Sequence, residues 1–355
     1  MPVRNLVFQG GGVKGIAYVG VLGALEEAGA LATVTRVAGT SAGAITAALV
    51  ACGATAADLS DALTHTSFSS FCDGHGGILG DADRLLQSGF GIHPGETIET
   101  WLQQQIGAVT GRLLGTPRPD LTLGALHALV GDHGAPFREL YVISTDLCGQ
   151  RARVLSAATT PDLPVWRAVR MSMSIPIFFA AVEQDGTWWA DGAVSWNYPI
   201  DLFDGVRRQP VDSAQLPAAT DDGETIGFCM GTQTEVAALR SGWQLPPVQV
   251  QDFASYMSSL VSFLLNESTL LHLDASDLAR SVFIDVAGVR TTQFDLTPEQ
   301  AATLVANGRS ATTAFLAARA ASTASTASTA STASPGVPGG DLPSAPATPP
   351  ATTPA

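Results

Sequence analysis

Cysteine, positive charge and long apolar runs are all scarce in this chain. Its 355 residues hold four cysteines, Cys52, Cys72, Cys148 and Cys229, with no paired spacing such as C-x-x-C. That excludes a disulfide scaffold and a cysteine-based zinc site, and it predicts free thiols in a reducing compartment, with Cys52 and Cys229 buried in apolar runs. Lysine and arginine number 18 against 32 aspartates and glutamates, a net charge of −14. A surface of that sign repels nucleic acid and gains nothing from long-range attraction to anionic membranes, so contact with lipid has to be apolar. The longest apolar stretch, residues 42–57, is interrupted by Gly43, Thr46, Gly53 and Thr55 and is too short to span a bilayer. The N-terminus runs from Asn5-Leu6-Val7-Phe8 straight into glycines, a strand and its turn rather than a signal peptide. These absences predict a soluble, cytoplasmic protein.

What is present is 46% hydrophobic content with a mean hydropathy of +0.22, enough to bury a large core. The chain is organised around Thr33-Val34-Thr35-Arg36-Val37-Ala38-Gly39-Thr40-Ser41-Ala42-Gly43, a β-branched run that breaks into Gly-x-Ser-x-Gly and resumes as an Ala-rich helix predicted over 42–51. That layout is a nucleophile elbow: a serine in a tight turn between strand and helix, flanked by Gly39 and Gly43 so that the backbone passes closely. The alternative reading of Ser41 is a plain helix N-cap. A strand at 5–9, Gly10-Gly11-Gly12-Val13-Lys14-Gly15, a helix over 16–28 and the elbow strand at 33–38 make a β-loop-α-β opening, which predicts a mainly parallel sheet between helices. Gly10-x-Gly12-x-x-Gly15 also matches a dinucleotide fingerprint, but the second strand ends in Val37-Ala38-Gly39 with no acidic residue for a ribose. The alternative is a loop whose bare N–H groups face an oxyanion beside the elbow.

Further along, helical spacing predicts helices at 56–66, 82–88, 95–107, 121–129, 164–173, 248–275 and 298–318. Strands are predicted at 140–145 and 152–155 as a hairpin, at 225–230, at 282–286, and at Trp188-Trp189-Ala190 leading into Asp191-Gly192-Ala193. The loop Cys72-Asp73-Gly74-His75-Gly76-Gly77 fits no metal motif and reads as a solvated loop. From residue 319 the Ala-Ser-Thr repeats and Pro-rich end cannot pack a core, so 1–318 is predicted as the catalytic domain and 319–355 as a disordered tail. Six histidines offer a base for the serine: His65, His75, His93, His127, His133 and His272. Only His272 follows Asp191, inside a predicted helix, so a Ser-His-Asp triad is disfavoured though open.

Three ordered blocks, Gly10 to Gly15, Gly39 to Gly43 and Asp191-Gly192-Ala193, resemble the signature blocks of the patatin-like phospholipases. The similarity extends through Ser172 to Phe179 and Asn197-x-Pro199 and covers roughly 3–318. It implies an α/β/α fold around a mostly parallel sheet, a variant of the α/β-hydrolase arrangement. It also implies a Ser41–Asp191 dyad, an oxyanion hole from the N–H groups of Gly10, Gly11 and Gly12, and support from Lys14, Gly39, Gly43 and Gly192, with no cofactor and no calcium. Trp196 departs from the family, where the position is commonly polar. For Asp191 to act as a base its carboxylate has to be desolvated, and Trp188-Trp189-Ala190 are the residues placed to do it. The expected reaction is hydrolysis of phospholipid or related acyl esters through an acyl-Ser41 intermediate, with transient contact to a membrane surface. Phe178 and Phe179 are candidates for the acyl groove. An esterase for small soluble esters, or a catalytically silent lipid-binding effector, would carry the same motifs.

Overall fold

The computed structural model describes residues 2–74, 89–131, 136–205, 207, 209, 211–212, 216–231, 249–251, 256, 259–260, 263 and 273–331. The predicted helix at 82–88, most of that at 248–275, and His75, His133 and His272 lie outside the described residues. By chain contacts the protein divides into a unit Met1–Leu316 and a unit Ala317–Ala355.

The first unit is built on an eight-stranded sheet in the order β10-β9-β1-β2-β4-β8-β7, with β5 on β4. Its strands are β1 (Asn5–Phe8), β2 (Arg36–Thr40), β4 (Glu139–Asp146), β5 (Arg151–Leu155), β7 (Val182–Gln184), β8 (Thr187–Asp191), β9 (Thr225–Gly231) and β10 (Ser281–Asp285). The four pairings from β10 across to β4 are parallel, while β5, β7 and β8 pair antiparallel, so the sheet is mixed. A separate parallel pair joins β3 (Gly91–His93) to β6 (Ile177–Phe179).

Alternation along the strands divides the core between the two faces of the sheet. Leu6, Phe8, Val37, Val142 and Phe228 join the larger cluster, together with helices α1 (Ala17–Glu27), α2 (Ala42–Ala51) and α6 (Val165–Ser172). Val7, Ala38, Ile143 and Cys229 point the other way, into a cluster with Trp196, Tyr198, Ile200, Leu202 and Phe203. Trp196 is fully buried there, which explains an aromatic side chain at a position expected to be polar. The remaining helices are α3 (Ala56–Thr64), α4 (Glu96–Leu114), α5 (Leu123–Leu129), α7 (Ala193–Trp196), α8 (Ala275–Ala279) and α9 (Pro298–Ser331). α9 runs past the predicted end at 318, because its Ala-Ser-Thr repeats contain no proline or glycine to stop it. Where α9 crosses α1, a Cβ at Gly20 would fall 1.9 Å from the Val305 carbonyl and one at Gly308 2.1 Å from that of Ala17, so the two backbones nearly touch.

Two registers decide where the site lies. β2 pairs with β4 from Glu139 to Ile143, and β5 pairs with β4 from Val142 to Asp146. Both therefore claim Val142 and Ile143, so they occupy opposite edges of β4. β8 pairs with Ser144 to Asp146, residues whose other edge β5 already holds, and so lies on the same edge as β2. β2 arrives from one direction and ends at Thr40, opposite Ile143. β8 arrives from the other and ends at Asp191, opposite Ser144. The two strands meet head to head, with the elbow serine and the aspartate at the junction. The predicted strand at 33–38 is shifted to Arg36–Thr40, because Ala30–Thr33 forms a 3-10 turn after Gly29 takes a left-handed φ of 67°.

Candidate active site

Ser41 stands between β2 and α2 with φ 54° and ψ −123°, a conformation that costs a non-glycine residue about 1–3 kcal/mol and persists only where the surroundings impose it. The surroundings here are identifiable. Gly39 and Gly43 let the turn close: a Cβ at Gly39 would lie 2.2 Å from the Gly43 carbonyl, and one at Gly43 2.2 Å from that of Phe8. Thr40 donates its hydroxyl to the Trp196 carbonyl at 3.0 Å, and Ser41 donates its own N–H to Ser172 Oγ at 2.9 Å. Ser172 in turn donates to the Ile143 carbonyl.

Asp191 ends β8 with its carboxyl group buried. Ser41 Oγ donates to Asp191 Oδ2 at 2.7 Å, and the Ala193 N–H donates to Asp191 Oδ1 at 2.8 Å. Burial pushes the carboxyl up from 3.8 to about 7, against the downward pull of the hydrogen bonds from Ser41 and Ala193. The main chain is held equally firmly. The Asp191 N–H donates to the Ser174 carbonyl, the Gly192 N–H to the Ser172 carbonyl, and Thr145 Oγ1 to the Asp191 carbonyl. Gly192 is needed for closeness, since a Cβ there would lie 2.2 Å from the Ile143 carbonyl.

The glycine loop lies beside this pair. Gly10 would carry its Cβ 3.1 Å from that of Ser41, but its N–H donates to the Asn197 carbonyl at 3.2 Å. Gly10 therefore anchors the loop through its N–H rather than offering it to a bound group. Gly12 turns the chain at φ 57° under Thr291, and the following Val13 N–H donates to the Thr291 carbonyl. Lys14, the only lysine in the chain, lays its side chain over Gly11, 3.4 Å from where a Cβ there would be.

A narrow apolar pocket of about 40 Å³ opens on Ser41, with Gly12 and Val13 at one wall and Ile45, Phe71, Ile98 and Met173 among the others. Phe179 lines it; Phe178 lies behind, stacked on Phe294, which also lines the pocket. Ser41, which lines this pocket, is 4% exposed, and Asp191 behind it is 1% exposed. Of the histidines, His65, His93 and His127 have partners elsewhere: Asp61, the Asp73 carbonyl and Glu139. Among the described residues no group of three or more His, Cys, Asp or Glu is arranged to hold a metal, and no helix is long and apolar enough to cross a membrane.

Residues 6–204, more than half of the chain, match the patatin-like phospholipase family. The chain belongs to that family. The uncharacterized protein YqhO of Bacillus subtilis is 31% identical over 322 residues, covering 87% of this chain and 97% of that protein. The uncharacterized protein R571 of Acanthamoeba polyphaga mimivirus is 24% identical over 308 residues, 84% of this chain and 88% of its own. The crystal structure of VipD from Legionella pneumophila superposes with a TM-score of 0.54 at 19% identity, over 90% of this chain and 67% of that one, a likeness of fold. The fold expected from the patatin-like resemblance is thus present, and family membership supports lipid acyl hydrolysis.

Ser172 is the residue that motif reasoning passed over. It lies within the similar stretch 172–179, yet nothing in its spacing says that its hydroxyl receives the Ser41 N–H while its carbonyl receives that of Gly192. Only the docking of the end of α6 under the β2–β8 junction brings those groups together.

Proposed function

We propose that this protein hydrolyses acyl esters of phospholipids through Ser41 as nucleophile and Asp191 as general base. The observation that carries the reading is the 2.7 Å bond from Ser41 Oγ to the buried Asp191 carboxylate, at the wall of an apolar pocket. Ser41 Oγ attacks the ester carbonyl as its proton passes to Asp191 Oδ2. The N–H groups of Gly11 and Gly12 and the N-terminal end of α2 stabilise the tetrahedral oxyanion. Collapse expels the alcohol, which leaves with the proton from Asp191, and the acyl group stays on Ser41. Water then gives a proton to Asp191 and attacks the acyl-serine; collapse returns the proton to Ser41 and frees the fatty acid. A carboxyl near 7 suits both directions of transfer at neutral pH, whereas one near 4 would be too weak a base.

The pocket supports an acyl substrate, being lined almost wholly by aliphatic and aromatic side chains beside Ser41. An esterase for small soluble esters would use the same groups, and the dependence of kcat/KM on acyl length separates the two. The direct test is fatty acid release from phosphatidylcholine by the wild type, Ser41→Ala and Asp191→Asn. The reading expects both variants to lose about 10⁴-fold or more in kcat. Comparable release by Ser41→Ala would refute it.

A further inference from the structure

A second cavity of about 260 Å³ adjoins the serine pocket, and the two share Phe68 and Phe294 as walls. Their chemistry differs. The serine pocket is apolar around Ser41, whereas the second is rimmed by Thr66, Ser67 and Thr297 and carries one carboxylate, Asp295, on an exposed residue. Its lining includes no lysine, arginine or histidine. No hydrogen bond or ion pair involves the Asp295 carboxylate among the described residues, so its charge is uncompensated within the groove. Phe294 is stacked on Phe178 at 4.9 Å with 7° between the planes, Phe68 meets Phe71 edge to face at 5.9 Å, and both Phe294 and Phe68 line the groove.

Aromatic rings beside a carboxylate, with hydroxyls around them, are the chemistry that holds an alkylated ammonium, through cation–π attraction and charge together. The same groove repels an anion, since nothing in its lining offers a positive charge. We infer that the groove walled by Phe68, Phe294 and Asp295 is a headgroup subsite that selects lipids ending in a cationic ammonium, such as choline, over lipids with an anionic headgroup. The acyl chain then occupies the serine pocket while the alcohol side of the ester extends past the two phenylalanines into the polar groove. The inference rests on the acyl-hydrolase reading above.

The test uses dihexanoyl phosphatidylcholine and dihexanoyl phosphatidylglycerol as dispersed monomers, so that surface charge plays no part. The ratio of their kcat/KM values is measured for the full-length wild type, Asp295→Asn and Asp295→Lys, each normalised to Ser41 titrated with a fluorophosphonate. The wild type should prefer the choline lipid, Asp295→Asn should cut that preference about 3–10-fold, and Asp295→Lys should cut it further or reverse it. A ratio that stays the same in all three, with Ser41 titrating normally, overturns the headgroup subsite. Failure of wild-type Ser41 to titrate or turn over either lipid strikes the hydrolase reading instead.

Discussion

At the scale of single residues the site is two side chains whose own backbones are held by a third segment. Ser172 accepts the Ser41 N–H on its hydroxyl and the Gly192 N–H on its carbonyl, and Ser174 takes the Asp191 N–H, so the end of α6 fixes both members of the pair. Ser172→Ala should therefore lower kcat about 10–100-fold with little change in KM, because displacement of the nucleophile by a fraction of an ångström affects reaction more than binding. Steady-state kinetics beside a circular dichroism spectrum check this, and an unchanged kcat would deny Ser172 a positioning role. Asp191 makes a second prediction through its carboxyl near 7. The base has to be ionised to act, so kcat/KM should rise with pH through an acid limb near 7 and level off above it. The same shift bears on stability. The folded value lies above the unfolded 3.8, so the native state binds the proton more tightly, and Asp191 costs stability progressively as pH rises from about 4 through about 7. Asp191→Asn should thus stabilise the protein by ~1–4 kcal/mol at pH 8 and by much less at pH 5, as urea denaturation at the two pH values would read.

The elements explain why residues 150 positions apart by subtraction of 41 from 191 reach hydrogen-bond distance. β2 and β8 run toward each other along one edge of β4 and stop at adjacent β4 residues, Ile143 and Ser144. This arrangement was only half legible in the sequence. The elbow reads directly, since glycines on both sides of Ser41 between a β-branched run and an Ala-rich run have few other uses, and α2 falls on the predicted 42–51. The Asp191 block reads through its similarity to the family. What does not read is the direction of β8, because pairing sense depends on the partner across the sheet and not on the strand's own residues. The same limit hid the commitment of the Gly10 N–H to Asn197, and the pairing of Gly91–His93 with Ile177–Phe179, strands too short to show a period. The packing of the elbow gives a prediction at this scale. Gly43→Ala should destabilise the protein by ~2 kcal/mol or more, since its methyl group would meet the Phe8 carbonyl and push α2 off β1. Thermal unfolding within a degree of wild type would contradict it.

Over the whole molecule, the net charge of −14 and the apolar pocket divide the labour between long-range and short-range forces. Anionic vesicles should be poor substrates at low ionic strength and improve with salt, as the Debye length falls from about 30 Å at 0.01 M to about 8 Å at 0.15 M. Monomeric choline esters should show no such rise, and vesicle assays across that range of salt decide the matter. The segment beyond residue 318 should be dispensable for turnover, because every group of the proposed site and its adjoining groove lies at or before Ala301. A chain ending there should keep the wild-type kcat.

Reaction of the wild type and Ser41→Ala with an alkyl fluorophosphonate, read by intact mass, tests the central claim without presuming a substrate. An activated serine predicts one adduct on the wild type, formed faster as pH rises through about 7, and none on the variant. An unmodified wild type, or an equal adduct on Ser41→Ala, would contradict it.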